Sequence, residues 1–213
     1  MNKDLTVGNP STVLWKFCLP LFGSIVFQQL YNIADTLIVG QFLGRNALAA
    51  VGSSFTLMTF LTSILLGMCM GSGAVFSIRF GQRDEAALRE SARASFVLIA
   101  ALTVVLNVLA FLCLDGIQVF LRVSDAAIWA LMREYLAVIF WGIAGTFLYN
   151  YFACYLRAVG DSVTPLIFLA VSALLNIGLD LWFVIGLRRG VAGAAEATVI
   201  SQYVSGLGLG LFA

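Results

Sequence analysis

Six apolar stretches, each long enough to cross a bilayer, leave this chain little choice of fold. They run near 14–40, 47–76, 94–114, 130–155, 165–187 and 191–213. About 20 helical residues cross the roughly 30 Å of hydrocarbon. Inside lipid every backbone N–H and C=O must be satisfied within the chain, and a helix does this by itself. The pattern predicts an all-α membrane protein with six transmembrane helices. A short polar segment, 1–13, is expected on the cytoplasmic side, and 14–213 are expected to form one unit.

Charge supports this. Only 11% of the residues are charged, against about 25% in a soluble domain. Net charge is +1, which excludes a basic nucleic-acid surface as the main theme. The bilayer is therefore the expected partner, not nucleic acid. With 0 His there is no imidazole relay and no His-based metal site. Cys18, Cys69, Cys113 and Cys154 stand singly in apolar runs, without CxxC spacing, and read as small buried hydrophobes. Nothing here points to a catalytic site, a resident cofactor or an enzyme. The start, MNKDLTVGNPSTVLWKF, has no small-residue cleavage site and enters the first span directly.

Pro20 lies in the first span, as membrane helices tolerate. Gly67, Gly71, Ser72 and Gly73 suit the second to close packing. DGIQVFLRVSDAAIW, between spans 3 and 4, is expected to hold a short interfacial helix. Lys3, Lys16, Arg79, Arg83, Arg89, Arg93 and Arg157 fall on one side. Arg45, Arg122, Arg133, Arg188 and Arg189 fall on the other. The excess favours a cytoplasmic N-terminus in a multi-pass protein of the plasma membrane.

Two carboxylates break the apolar pattern. An Asp at a helix centre costs roughly 2.5–3.5 kcal/mol on insertion scales, and such residues mark ion or substrate paths. Asp35 precedes Arg45 by ten residues, about 15 Å along a helix. Asp180 precedes Arg188 by eight, about 12 Å, and Thr198 follows Arg189 by nine, about 13 Å. Three spans thus put a polar group at one depth. Gln28, Tyr31, Asn32 and Asp35 form one helical stripe, and Asn176 lies one turn from Asp180. Such stripes serve either as polar glue between helices or as an ion site. Two carboxylates at matched depth favour the ion site, where a carboxyl pair holds one H+ or one Na+. Asp35 and Asp180 are the expected Na+ ligands, with no other metal site.

Weaker candidates are Glu196, which either joins the cluster or reaches the headgroups, and Gln202, one turn beyond Thr198. Asn150 lies about 10 Å from the opposite end of its helix and is left out of the cluster. Asn107 reads as interhelical glue, and Arg157 and Asp161 as loop anchors.

WKFCLPLFGSIVFQQLYNIADTLIVGQFLGRNALAAVG, RAVGDSVTP, LLNIGLDLWFVIG and GVAGAAEATVISQ resemble the N-terminal half of the multidrug and toxic compound extrusion (MATE) transporters, notably their bacterial multidrug export branch. The resemblance covers essentially the whole chain. It implies one six-helix lobe, the N-lobe, of a twelve-helix antiporter that exchanges H+ or Na+ for cationic or amphipathic drugs. It implies that Gln28, Tyr31, Asp35, Asn176, Asp180 and Thr198 form the ion or proton site. Asn32, Glu196 and Gln202 are then cavity-lining candidates, and Glu196 stands where the family leads one to expect an apolar residue. The chain holds six spans, so the expected partner is a C-lobe absent from this sequence, or a second copy.

Two other readings are weaker. A lipid-linked oligosaccharide flippase of the same superfamily calls for cavity Arg or Lys, and the spans hold none at depth. An intramembrane aspartyl protease calls for GxGD, which neither GLD at 178–180 nor AVGD at 158–161 supplies. A retinal protein is excluded, since no span carries a mid-membrane Lys.

Overall fold

The computed structural model describes residues 10–121 and 123–213. Lys3, Arg122 and most of the expected N-terminal segment lie outside them. Among the described residues all regular structure is helical: α1 Pro10–Phe42, α2 Arg45–Gly81, α3 Glu85–Leu112, α4 Leu114–Phe120, α5 Ala126–Ile139, α6 Gly142–Ala158, α7 Val163–Asp180 and α8 Gly190–Phe212. Helix α1 begins four residues before the span expected from hydropathy. Helix α4 is the short connector expected between spans 3 and 4.

The helix starts are set locally. Asp84 accepts from the Ala87 N–H, and Asp125 from those of Ala127 and Ile128. These contacts satisfy donors that a helix leaves unpaired at its N-terminus. Ahead of α7, Asp161 accepts from Val163 N–H, Thr164 N–H and the Thr164 hydroxyl. The preceding Gly160 sits at φ 90°, where a side chain is strained. Burial pushes the Asp161 carboxyl up, but these hydrogen bonds to the charged form win and hold it below its ordinary value. Its contribution to stability is therefore present above pH ~4 and lost as pH falls through that range. Asp161→Ala is expected to cost about 1 kcal/mol, read as a thermal midpoint lowered at pH 7 but little changed at pH 3. An equal loss at both pH values would contradict the cap.

Three features depart from the expected six uninterrupted spans. The fourth is broken at Phe140–Trp141, where α5 and α6 bend by 49°. The fifth ends in a π-helical turn, Leu181–Gly186, which begins directly after Asp180. The sixth, α8, has the length, but it is not among the four single helices or the bent pair that are apolar enough to span by composition. Glu196, Ser201, Gln202, Ser205 and its glycines dilute it. It tolerates this because it is enclosed by α5, α6 and α7. Ala194, Ala195, Ala197 and Leu209 have no exposed surface.

Small residues bring α6 and α8 together. Gly145 meets the α8 backbone at Gln202 and Tyr203, and Gly206 meets the Gly145 carbonyl. On the other face of α6, Tyr151 packs edge-on against Phe76 of α2 and Phe96 of α3, and donates to the Ala92 carbonyl. A Cβ on Gly73 of α2 would lie 3.5 Å from the Cys154 Cβ of α6, within the roughly 3.5–4.5 Å of a disulfide. Gly73→Cys is therefore expected to cross-link to Cys154 on mild oxidation, with the other cysteines removed. After cleavage at a protease site engineered near residue 123, the fragments would stay joined until reduced. Separation of the fragments without reductant would contradict the α2–α6 packing.

Candidate functional site

Three helices converge on one polar cluster. Helix α1 supplies Tyr31 and Asp35, α7 supplies Asn176 and Asp180, and α8 supplies Thr198. Asn176 and Asp180 have no exposed surface, and Thr198 is 5% exposed. The Thr198 hydroxyl accepts from the Tyr31 hydroxyl at 3.3 Å and from the Asn176 amide at 3.2 Å. One threonine thus joins all three helices. The carboxyls of Asp35 and Asp180 are direct neighbours.

The balance of donors and acceptors is lopsided. Oδ1 of Asp35, Oδ1 of Asn176 and both carboxyl oxygens of Asp180 are buried without a hydrogen-bond partner. All four are acceptors. A buried acceptor without a donor costs about 1–3 kcal/mol. A set of oxygens with no donor facing them suits a proton or a hard cation, which takes oxygen ligands. The π-helical turn after Asp180 widens the helix, as such turns commonly do at functional positions.

A cavity of about 80 Å³ adjoins the cluster. Its walls include Gln28 and Tyr31 of α1, Asn150 of α6, Ser172 of α7, and Thr198 and Gln202 of α8. Tyr31 and Thr198 belong to both the cluster and the cavity. The cavity follows α8 from Thr198 to Ser205, about 10 Å.

The expected residues divide accordingly. Tyr31, Asp35, Asn176, Asp180 and Thr198 come together. Gln28 and Gln202 face the cavity instead of the carboxyls. Asn32 is half-buried and donates to Gln29. Glu196 pairs with Arg189 at 2.6 Å, so its charge is met at the helix end and not in the cluster. Two residues escaped the sequence reading. Asn150 stays out of the carboxyl cluster, as its depth implies, but the cavity is elongated and reaches it along α8. Tyr135 of α5 is buried and within electrostatic reach of Tyr31, Asp35 and Asp180. Its only sequence signal is a hydroxyl in an apolar span.

Fold and site together define a class: a membrane helix bundle built around a buried carboxyl pair beside a polar cavity. The chain belongs to the MatE family, whose sequence model matches residues 20–182. It is 32% identical over 209 residues to the Probable multidrug resistance protein YpnP of Bacillus subtilis, covering 98% of this chain and 46% of that protein. It is 32% identical over 195 residues to the Probable multidrug resistance protein NorM of Thermotoga maritima, covering 90% and 42%. An outward-facing multidrug resistance MATE family transporter of the MOP superfamily superposes with a TM-score of 0.86 at 28% identity, covering 98% of this chain and 46% of that one. The chain thus spans about half the length of the curated relatives it matches and has the fold of one MATE lobe.

Proposed function

We propose that this chain supplies the N-terminal lobe of a secondary active multidrug extruder in the cell membrane, with its N-terminus cytoplasmic. A C-lobe, or a second copy, completes the transporter. The substrates are cationic or amphipathic drugs, exchanged for H+ or Na+. The observation that carries this reading is the set of four buried, unpartnered acceptor oxygens on Asp35, Asn176 and Asp180.

Asp35 and Asp180 hold the coupling ion, and Asn176, Tyr31 and Thr198 fix their helices around it. A cation entering between the carboxyls removes their mutual repulsion and draws α1 toward α7. Because Tyr31 and Thr198 also line the cavity, that movement reshapes the space left for the drug. A bound cation therefore favours one state and a bound drug the other, which is the differential affinity that coupling requires. None of the cavity residues named above is Lys or Arg, so a pyrophosphate would meet no countercharge. This favours drug extrusion over lipid-linked oligosaccharide flipping. The test is ion-driven drug exchange by the intact transporter carrying this lobe, reconstituted in liposomes. Asp35→Asn and Asp180→Asn are each expected to reduce exchange to background. Unchanged exchange in both would overturn the reading.

A further inference from the structure

The break between α5 and α6 separates two groups of site residues. Tyr135, within electrostatic reach of the carboxyl pair, lies on α5, five residues before Phe140. Thr146 and Asn150, which line the cavity, lie on α6. The 49° angle at Phe140–Trp141 therefore fixes where Tyr135 stands relative to the cavity wall.

Side chains from two other helices hold that angle. The Asn107 amide of α3 donates to the Phe140 carbonyl at 2.6 Å. The Tyr203 hydroxyl of α8 donates to the Trp141 carbonyl at 2.9 Å. The backbone here tightens, with Trp141 N–H donating to Val138 and Ile143 N–H to Phe140. Inside a membrane a bend persists where neighbours satisfy the backbone groups at it. Here both carbonyls at the bend have a partner, each from a different helix. No proline lies in α5 or α6 to force the bend. Gln202, next to Tyr203 on α8, also presses its buried, unpartnered Oε1 to within 2.6 Å of where a Cβ on Gly142 would lie. A side chain at the residue that opens α6 would thus have to push the Gln202 amide aside.

We propose that Asn107 and Tyr203 are positioning residues that clamp the α5–α6 joint. Through it they couple occupancy of the carboxyl pair to the shape of the cavity. The coupling half of this rests on the function proposed above. Tyr31 and Tyr135 are the other titratable groups within electrostatic reach of the carboxyl pair. Only Tyr135 is carried on the joint, so releasing the clamp shifts a hydroxyl within electrostatic reach of the pair and leaves the α1 and α7 residues in place.

The experiment uses the intact transporter carrying this lobe, with its native cysteines replaced and spin labels at Ala130 and Ala158, on the two arms of the joint. Tyr203→Phe removes one hydroxyl from a half-buried ring, and Asn107→Leu removes the other donor at similar volume. Each is expected to broaden the label-to-label distance distribution and shift it to longer values. Ethidium affinity is read alongside, at low and high Na+ and at low and high pH. In each variant the cation-induced shift in affinity is expected to shrink by about fivefold, while affinity at low cation stays within about twofold. A purely structural role would lower both affinities together. Unchanged distances in both variants would overturn the clamp. Altered distances with a full cation-induced shift would overturn the coupling. If the parent protein shows no cation-dependent ethidium binding, the transport reading fails and the coupling with it, while the distances still judge the clamp.

Discussion

Asp180→Asn is expected to raise the thermal midpoint of the intact transporter in detergent while abolishing cation-driven exchange. The two effects have opposite signs because they come from one cause. Both Asp180 carboxyl oxygens are buried, neither meets a donor, and a second carboxyl lies beside them. When ionised, that arrangement carries the desolvation penalty and like-charge repulsion together. The Asn side chain has the same shape and no charge, and it brings N–H donors to a place where Asp35 is a waiting acceptor. The gain should be about 1–3 kcal/mol, the usual mutational cost of burying an unpaired polar group. The same change removes the charge that attracts the coupling ion. A midpoint that falls while exchange survives would show that Asp180 is structural glue.

The second large effect is steric. A Cβ on Gly206 would lie 2.8 Å from the Gly145 carbonyl oxygen, 2.9 Å from the Leu148 Cβ and 3.1 Å from the Tyr149 nitrogen. These atoms are backbone, or rooted on it, so no rotamer change relieves them. Overpacking in a tight core costs about 1–3 kcal/mol, and a longer side chain costs more. Gly206→Ala is expected to lower the midpoint, and Gly206→Leu to abolish the folded peak in detergent size-exclusion. Gly208 is the control. Its Cβ would meet Phe168 Cε1 at 2.7 Å, the far end of a side chain that can swing away. Gly208→Ala should cost clearly less than Gly206→Ala. Equal losses would mean that the α6–α8 contact is looser than the geometry here.

Hydropathy and helical phase carried the sequence reading a long way because both are dominated by the bilayer. A 20-residue apolar run has one low-energy state in lipid, so the spans near 14–40, 47–76, 94–114 and 165–187 each overlap one helix, α1, α2, α3 and α7, although α3 begins well before its apolar run. Depth worked for Asp35, Asp180 and Thr198 because helix rise is constant and each has a charged landmark at its helix end. It also kept Asn150 out of the carboxyl cluster, but could not place it on the cavity, since distance along the normal says nothing about the length of a cavity. The break at Phe140–Trp141 has no local signal. It depends on Asn107 and Tyr203, which are 33 and 62 residues from the carbonyls they meet. The π-helical turn after Asp180 is equally silent, as LWFVIG reads as ordinary apolar helix. The fate of Glu196 hung on which way Arg189 turned, a choice made by the tertiary fold.

The enclosure of α8 also bears on how the lobe is made. A segment carrying Glu196, Gln202 and so many small residues gains less from entering lipid alone than the other spans do. Its neighbours α5, α6 and α7 all precede it in the chain. During synthesis they are already in the membrane when α8 emerges, so it enters against a prepared protein surface. In the folded lobe Arg189, placed just ahead of it, meets the Glu196 charge. The order of the helices along the gene is therefore itself part of how a weakly apolar helix reaches the centre of the bundle.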